Sequence, residues 1–150
     1  MKILLKNQQR RRLINRTKIK KTAAYILTLL KQPRLSMAEL SILFVGDRKM
    51  KQLNSDFRGI RKSTDVLSFE SGIPVRGVGQ NPVLGDIVIC IPKAESQAKA
   101  AGTGLDEELN RLLIHGILHL TGYDHEASDY RARIMRKKEE DILNALEKMV

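Results

Sequence analysis

The segment His115-Gly-Ile-Leu-His119-Leu-Thr-Gly122-Tyr-Asp-His125 contains all three histidines of this 150-residue chain. In an α-helix, residues four apart lie on the same face one turn apart, so His115 and His119 can present two imidazole nitrogens to one metal ion. Gly122 is the residue type that takes a positive φ without steric cost, and it can end the helix and reverse the chain. The reversal would return His125 as a third ligand. The segment therefore predicts a metal site.

The ligand type indicates which metal and which kind of site to expect. Three neutral imidazoles favour Zn²⁺, one ion per chain, although ligand type alone also allows copper, nickel or iron. Three protein ligands leave a fourth position open, which is typical of catalytic rather than structural zinc sites. The alternative is a helix with two partly buried histidines and a turn histidine, each satisfied by hydrogen bonds. The spacing and the intervening glycine favour the metal site.

The spacing also matches the zinc-protease pattern His-Glu-x-x-His-x-x-Gly-x-x-His at the three histidines and at Gly122. Position 116 departs from that pattern, because Gly116 stands where the protease carries the glutamate that takes a proton from the attacking water. Glu108 lies on the His115 face but about 10.5 Å away along the helix axis, too far for direct proton transfer. The sequence therefore argues against ordinary peptide hydrolysis without eliminating it.

The composition indicates a globular protein with one core. At 150 residues and 42% hydrophobic residues, the chain is expected to form a single domain over residues 1–150. Cys90 is the single cysteine, so no internal disulfide can form, which fits a reducing cytosol. No apolar run approaches the roughly 20 residues that cross a bilayer, and residues 1–16 lack the apolar core of a signal peptide. We expect a soluble, cytoplasmic protein with no membrane partner.

The positive charge is concentrated in the first part of the chain. Residues 1–62 carry 17 Lys and Arg against three Asp and Glu, a net charge of +14, whereas residues 63–150 carry 10 against 14, a net charge of −4. Such a field attracts nucleic acid, although a basic face can also serve solubility alone. With only 4% aromatic residues, the sequence offers no obvious platform for base stacking. The candidate RNA-binding residues are Arg10, Arg11, Arg12, Lys18, Lys20 and Lys21.

Hydrophobic periodicity predicts strands that alternate with helices. Strands are expected over 2–6, 39–45, 64–69 and 85–91. Helices are expected over 17–30, over 47–57 with Asp47 as N-cap, over 92–101, from 106 through the first two histidines, and over 128–149. A loop rich in glycine and proline is expected between the last two strands. The expected fold is α+β: a single domain with about four strands in a mixed sheet, packed with about five helices, one of them a zincin-like metal-site helix.

Residues 115–125 resemble the signature of the YbeY family of bacterial rRNA-maturation endoribonucleases. The resemblance extends upstream, in the family's order, to three blocks: Leu53-Asn54 with Phe57-Arg58, Thr64-Asp65-Val66-Leu67-Ser68-Phe69, and Leu84-Gly85-Asp86-Ile87. Glu70 departs from the pattern, since many relatives carry proline there, and the loop over 75–82 is individual. Both departures lie outside the histidine motif.

The resemblance implies a zinc-dependent endoribonuclease, specific for single-stranded RNA, that acts in maturation of the 16S rRNA 3′ end and in ribosome quality control. It implies His115, His119 and His125 as zinc ligands, with His115 and Arg58 in the catalytic step. A guanidinium matches phosphate geometry and can stabilise the negative charge that phosphodiester cleavage builds on the phosphate oxygens. The implied partners are single-stranded rRNA precursors, the small ribosomal subunit and its assembly factors.

Three points stay open at the level of sequence. Asp124, beside His125, can orient an imidazole as a hydrogen-bond acceptor, but an aspartate in a tight turn often serves only the turn. A metallopeptidase or amidase could use the same three-histidine zinc site. A non-catalytic ribosome-assembly factor with a structural zinc ion would also fit a basic chain with three clustered histidines.

Overall fold

The computed structural model describes residues 1–70 and 83–149, which form four strands and five α-helices. The strands are β1 (Lys2–Asn7), β2 (Glu39–Val45), β3 (Val66–Glu70) and β4 (Val83–Cys90). The helices are α1 (Arg16–Leu29), α2 (Asp47–Arg58), α3 (Ile91–Ala101), α4 (Leu105–Leu120) and α5 (Asp129–Glu147). A short 3-10 helix, Pro33–Met37, joins α1 to β2. The predicted α+β class is confirmed, with the expected numbers of strands and helices.

The four strands form one mixed sheet in the order β1-β2-β4-β3. Both β1 and β4 pair with β2 in parallel, and β3 pairs with β4 in the antiparallel sense. Every residue of β4 from Leu84 to Cys90 is buried, as expected of a strand whose two faces are both covered. The edge strand β3 also contacts α4, so this edge of the sheet lies beside the helix that carries the first two histidines.

Side chains of β4 alternate between two hydrophobic clusters, one on each face of the sheet. Ile87 and Ile89 belong to the larger cluster, which includes buried residues of α1, α4 and α5. Val88 and Cys90 belong to the smaller cluster, together with Met50 of α2. Because α4 contacts α1, α3, α5, β3 and β4, the histidine helix is the central element of the helical layer. Its position is therefore determined from several sides.

The predicted element boundaries agree with the structure within two residues, and β2 agrees over its whole length. Ser128 caps α5 by accepting a hydrogen bond from the backbone N–H of Arg131 at 3.1 Å. The glycine- and proline-rich loop predicted between β3 and β4 lies outside the described residues. Among the described helices, none has the length and the apolar composition that crossing a membrane would need.

Asp47 is not the N-cap of α2, and this prediction was wrong. Gly46 occupies the cap position, and Asp47 lies in the first helical turn, where a negative charge interacts favourably with the helix dipole. The Asp47 carboxylate accepts hydrogen bonds from Ser63 Oγ at 3.0 Å and from Cys90 Sγ at 3.3 Å. Burial raises the pKa of the Cys90 thiol, so this cysteine is a neutral, buried strand residue. The orientation of Asp47 therefore depends on tertiary contacts with Ser63 and Cys90, which the N-cap preference of an aspartate does not predict.

Candidate metal centre

The helix α4 presents His115 and His119 outward because its opposite face is packed into the core. Both histidines are half-buried, whereas the intervening apolar residues are buried: Leu112, Leu113, Ile114, Ile117 and Leu118. The first turn of α4 carries Asp106, Glu107 and Glu108, whose charges stabilise the N-terminal end of a helix. The apolar face thus determines the direction of the two imidazoles, which lie one turn apart.

The chain reverses directly after α4. Gly122 has a φ of +108°, a conformation that is strained for residues with a side chain. The backbone N–H of Tyr123 donates to the carbonyl oxygen of Leu118 at 3.0 Å, and the Thr121 hydroxyl donates to the carbonyl oxygen of Ile117 at 2.9 Å. These bonds close the turn and bring His125 back beside α4.

The three imidazoles converge on one point. One ring nitrogen of each histidine lies within 4.8 Å of the others, and His119 Nε2 is 3.1 Å from His125 Nδ1. An ion bound tetrahedrally at about 2.1 Å would place its nitrogen ligands roughly 3.4 Å apart, which lies within that range. The donor set and its spacing therefore fit one transition-metal ion. Among the residues that the structure describes, no second group of three potential ligands meets in this way.

The surroundings of His119 favour its neutral form, which is the form that binds a metal ion. Burial lowers the pKa of His119 below its ordinary value, and positive charge on His115 or His125 lowers it further, while Asp124 and Glu126 act in the opposite direction. Only a neutral imidazole has a lone pair free for a metal ion. A lowered pKa therefore keeps this ring available as a ligand.

Glu139 of α5 contacts the site and was not found from the sequence. Its Oε2 lies 3.4 Å from His115 Nδ1, and each of the two side chains is 30% exposed. A carboxylate in this position can accept a hydrogen bond from Nδ1–H, which favours the tautomer whose Nε2 lone pair is free for a metal ion. Glu139 is 24 residues from His115 and approaches it because α5 packs on α4. A contact between side chains 24 residues apart on two helices cannot be predicted from local sequence patterns.

Asp124 serves the turn that contains it. Its Oδ1 accepts a hydrogen bond from the backbone N–H of Glu126 at 2.9 Å, which is typical of an Asx turn. No hydrogen bond joins Asp124 to an imidazole within the described part of the chain. Its charge reaches the site only by raising the pKa of His119. A role for Asp124 in orienting a histidine therefore stays a prediction.

The three histidines open on a cleft of about 750 Å³ that also contains Arg58. Arg58 is the last residue of α2, and Gly59 ends the helix in the left-handed conformation with a φ of +70°. The walls of the cleft come from α2, β3, the end of α4 and the turn that follows it. Three candidate metal ligands and a guanidinium that is far from them in sequence therefore share one cavity.

Three of the six predicted RNA-binding residues, Arg11, Arg12 and Lys18, lie near the N-terminal end of α4, opposite the end that carries His119. Lys18 Nζ is 2.9 Å from Asp106 Oδ2 in the first turn of that helix, and Asp106 is about 20 Å from His119 along the axis at ~1.5 Å per residue. The other five are exposed: Arg10, Arg11, Arg12, Lys20 and Lys21. Of these, Arg11 and Arg12 form salt bridges with Glu95 of α3. None of the six lines the cleft. Their role in RNA binding stays a prediction, and it would act at a distance from the histidines.

Gly116 faces the sheet and not the cleft. A methyl group at this position would lie 3.0 Å from Cδ1 and Cγ2 of Ile87 on β4, closer than ordinary packing allows. The helix and the sheet approach too closely here for a glutamate side chain. Glu108, the carboxylate that helix spacing places on the same face as His115, is buried and forms a salt bridge with Arg111 at 2.6 Å. Neither position supplies a base to the cleft.

Gly116→Glu is expected to lower the free energy of unfolding by at least about 3 kcal/mol, because it combines overpacking with a buried, unpaired carboxylate. Gly116→Ala is the matched control. Its better helix propensity, worth about 1 kcal/mol, offsets part of the overpacking cost of about 1–3 kcal/mol. Urea unfolding followed by circular dichroism measures both variants. A stable Gly116→Glu variant that hydrolyses casein would show that a glutamate fits at position 116 and can act as a base, and it would favour the peptidase alternative.

The chain is similar to known proteins in sequence and in fold. The family model described as endoribonuclease YbeY matches residues 4–147. The endoribonuclease YbeY of Thermodesulfovibrio yellowstonii is 50% identical over 107 residues, which are 71% of this chain and 66% of that protein. The endoribonuclease YbeY of Aquifex aeolicus is 38% identical over 147 residues, 98% of this chain and 93% of that protein. A solution structure from Thermotoga maritima is similar with a TM-score of 0.60 and 27% identity, covering 94% of this chain and 86% of the other.

Proposed function

The chain belongs to the YbeY family of endoribonucleases, and on that premise we propose that it is a zinc-dependent endoribonuclease that cuts single-stranded RNA. One observation carries the proposal: three converging imidazoles and the guanidinium of Arg58 open on the same cleft. Imidazole ligands select a metal, and a planar cation beside them selects a phosphate. The scissile phosphodiester of RNA is itself an anion, whereas the scissile amide of a peptide is neutral, so Arg58 beside the histidines favours RNA as the substrate.

Four residues of the cleft, and Glu139 beside His115, have a part in this proposal. His115, His119 and His125 would hold one zinc ion, and Glu139 would keep the proton of His115 on Nδ1. A zinc ion with an open position supplies Lewis acidity and a more acidic bound water. Arg58 would contact the non-bridging oxygens of the scissile phosphate and stabilise their growing negative charge. Water and the RNA 2′-hydroxyl both fit as nucleophile, and the product ends distinguish them: only the hydroxyl route leaves a 2′,3′-cyclic phosphate.

We extend the proposal to ribosomal RNA. The sequence resemblance supports precursor rRNA as substrate, with maturation of the 16S rRNA 3′ end and ribosome quality control as the processes. The small ribosomal subunit and its assembly factors are then the partners, in the cytoplasm. The net charge of +10 supports association with the small ribosomal subunit, because rRNA is a polyanion.

Metal removal tests the proposal directly. Elemental analysis of the purified protein is expected to find about one zinc ion per chain. Dialysis against a chelator should abolish cleavage of a single-stranded RNA, and added zinc should restore it. Cleavage that is equally fast in the metal-free and zinc-restored samples would contradict the proposal. Casein hydrolysis in a parallel assay would favour the peptidase alternative, and salt-sensitive RNA binding without cleavage would favour the assembly factor.

A further inference from the structure

A second surface adjoins the metal cleft and carries two of the three tyrosines of the chain. Tyr123 and Arg131 line the metal cleft and also a neighbouring depression of about 370 Å³, which Tyr130 and Ile134 line as well. The same two tyrosines and Ile134 line a further depression of about 390 Å³ along α5. Because adjacent hollows share walls, they form one continuous surface that leads away from the histidines.

The aromatic side chains of this surface differ in burial. Tyr123 packs against the main hydrophobic cluster, which holds its ring at the rim of the cleft. Tyr130 is 65% exposed, and Ile134, one turn further along α5, is 41% exposed. An exposed ring beside cations is the arrangement on which proteins stack the bases of single-stranded nucleic acids.

The cations of this surface are available for phosphate. Among the described residues, no carboxylate lies within salt-bridge distance of the charged groups of Arg131, Arg133 and Lys138, whereas Lys137 pairs with Asp141 at 3.1 Å. Unpaired Lys and Arg side chains along a groove attract a nucleic acid backbone. The α5 platform is defined here as Tyr123, Tyr130, Ile134, Arg131, Arg133 and Lys138.

We propose that the α5 platform binds the part of a single-stranded RNA that extends beyond the metal cleft. A base stacks on the exposed ring of Tyr130, and the phosphates on either side contact Arg131, Arg133 and Lys138. The inference rests on the proposed nuclease function, because the same RNA must enter the cleft. The platform suits RNA better than a protein partner, since its exposed apolar surface is confined to Tyr130 and Ile134, whereas protein interfaces have a larger apolar core.

Fluorescence anisotropy with 2′-O-methyl oligouridylates of four and twelve nucleotides tests the proposal, and a gel checks that each probe stays intact. Tyr130→Ala is expected to weaken binding of the 12-mer about fivefold to a hundredfold, the range that loss of one stacked base produces. Tyr130→Phe keeps the ring and should bind the 12-mer within about twofold of the unmodified protein. The 4-mer spans fewer phosphates than the 12-mer and can make fewer contacts with the platform, so we expect its binding to change less than that of the 12-mer in Tyr130→Ala.

The cations are tested through the dependence of binding on salt. The double variant Arg133→Ala and Lys138→Ala should lower the slope of log Kd against log salt concentration by about 1.4, since each lost contact to a single strand removes about 0.7. Lys49→Ala, which removes an exposed cation of α2 outside the cleft and the platform, is the matched control and should leave the slope unchanged.

Intrinsic fluorescence supplies a readout that a merely structural role of Tyr130 would not produce. The chain has three tyrosines and no tryptophan, so stacking of a base on Tyr130 should quench a measurable part of the emission. Tyr130→Phe should lose that quenching while it keeps its affinity for the 12-mer.

The outcomes separate this proposal from the nuclease function. If the unmodified protein cleaves RNA but Tyr130→Ala binds the 12-mer as tightly as the unmodified protein does, the platform is not an RNA site and the nuclease proposal stands. Unchanged tyrosine emission on saturation with the 12-mer would likewise overturn the stacking proposal. If the metal-loaded protein neither binds nor cleaves RNA, the nuclease proposal itself fails.

Discussion

Replacement of His119 by alanine is expected to remove both the metal and the RNA cleavage while the fold is retained. The rings of the three candidate ligands are nearly equidistant, and the ring centroid of His119 lies 4.8 Å from that of His115 and 5.0 Å from that of His125. Two imidazoles alone bind a zinc ion much more weakly than three, so zinc content should fall well below one per chain. Loss of a metal that contributes several kcal/mol to the transition state slows cleavage by roughly 10³-fold or more.

The fold should survive this substitution because His119 lies outside the buried core. Its neighbours Leu118 and Leu120 are buried, whereas the imidazole is half-buried at the mouth of the cleft. Zinc content, RNA cleavage and thermal unfolding are measured on the same preparations. Glu107→Gln, an exposed substitution at the start of the same helix, is the matched control and should retain metal and activity. Full activity of His119→Ala would contradict the site, and an unfolded His119→Ala protein would favour a structural zinc ion.

The convergence of the three histidines was predictable from the sequence because helix geometry is local. A spacing of four residues places His115 and His119 on one face whatever surrounds the helix, and Gly122 marks the reversal with a φ of +108°. The strands were predictable for a similar reason, since β2 and β4 carry apolar runs that read as buried strands. Local periodicity and turn chemistry thus account for most of the fold.

The remainder of the site depends on packing between elements that are distant in the chain. Glu139 reaches His115 only through the contact of α5 with α4, and Arg58 reaches the cleft only because α2 ends beside β3. The charge distribution indicated a basic N-terminal part, but its residues meet α3 and the start of α4, away from the histidines. Pattern and charge in a sequence do not specify which surface a residue occupies.

The same limit applies to Gly116 and to the tyrosines. The sequence showed that the protease glutamate was missing, but only the 3.0 Å approach to Ile87 shows why a side chain there is costly. A low aromatic content argued against a stacking surface, yet Tyr123 and Tyr130 line the same two depressions beside the cleft. Composition counts residues, whereas a binding surface depends on where a few of them lie.

Arg58→Ala is expected to lower kcat for RNA cleavage by about 10²–10³-fold, the usual effect of removing one group that stabilises transition-state charge. Zinc content should stay at about one per chain, because Arg58 is not a metal ligand. KM should change far less than kcat, since the scissile phosphate gains most of its extra charge only in the transition state. Arg58→Lys should recover part of the rate, because an ammonium supplies the charge without the planar fork.

The control for Arg58 is Arg61→Ala, since Arg61 is an exposed arginine three residues further on that does not line the cleft. Arg58 is the last residue of α2, where a cation stabilises the helix by about 0.3–1 kcal/mol, so thermal unfolding must accompany the kinetics. A loss of that size shifts the midpoint by only a few degrees and does not reduce kcat at 25 °C. If Arg58→Ala and Arg61→Ala cleave RNA at rates within threefold of each other, Arg58 does not contact the reacting phosphate. A large loss confined to Arg58→Ala, with zinc retained, would separate the phosphate partner from the metal ligands, because His119→Ala loses both.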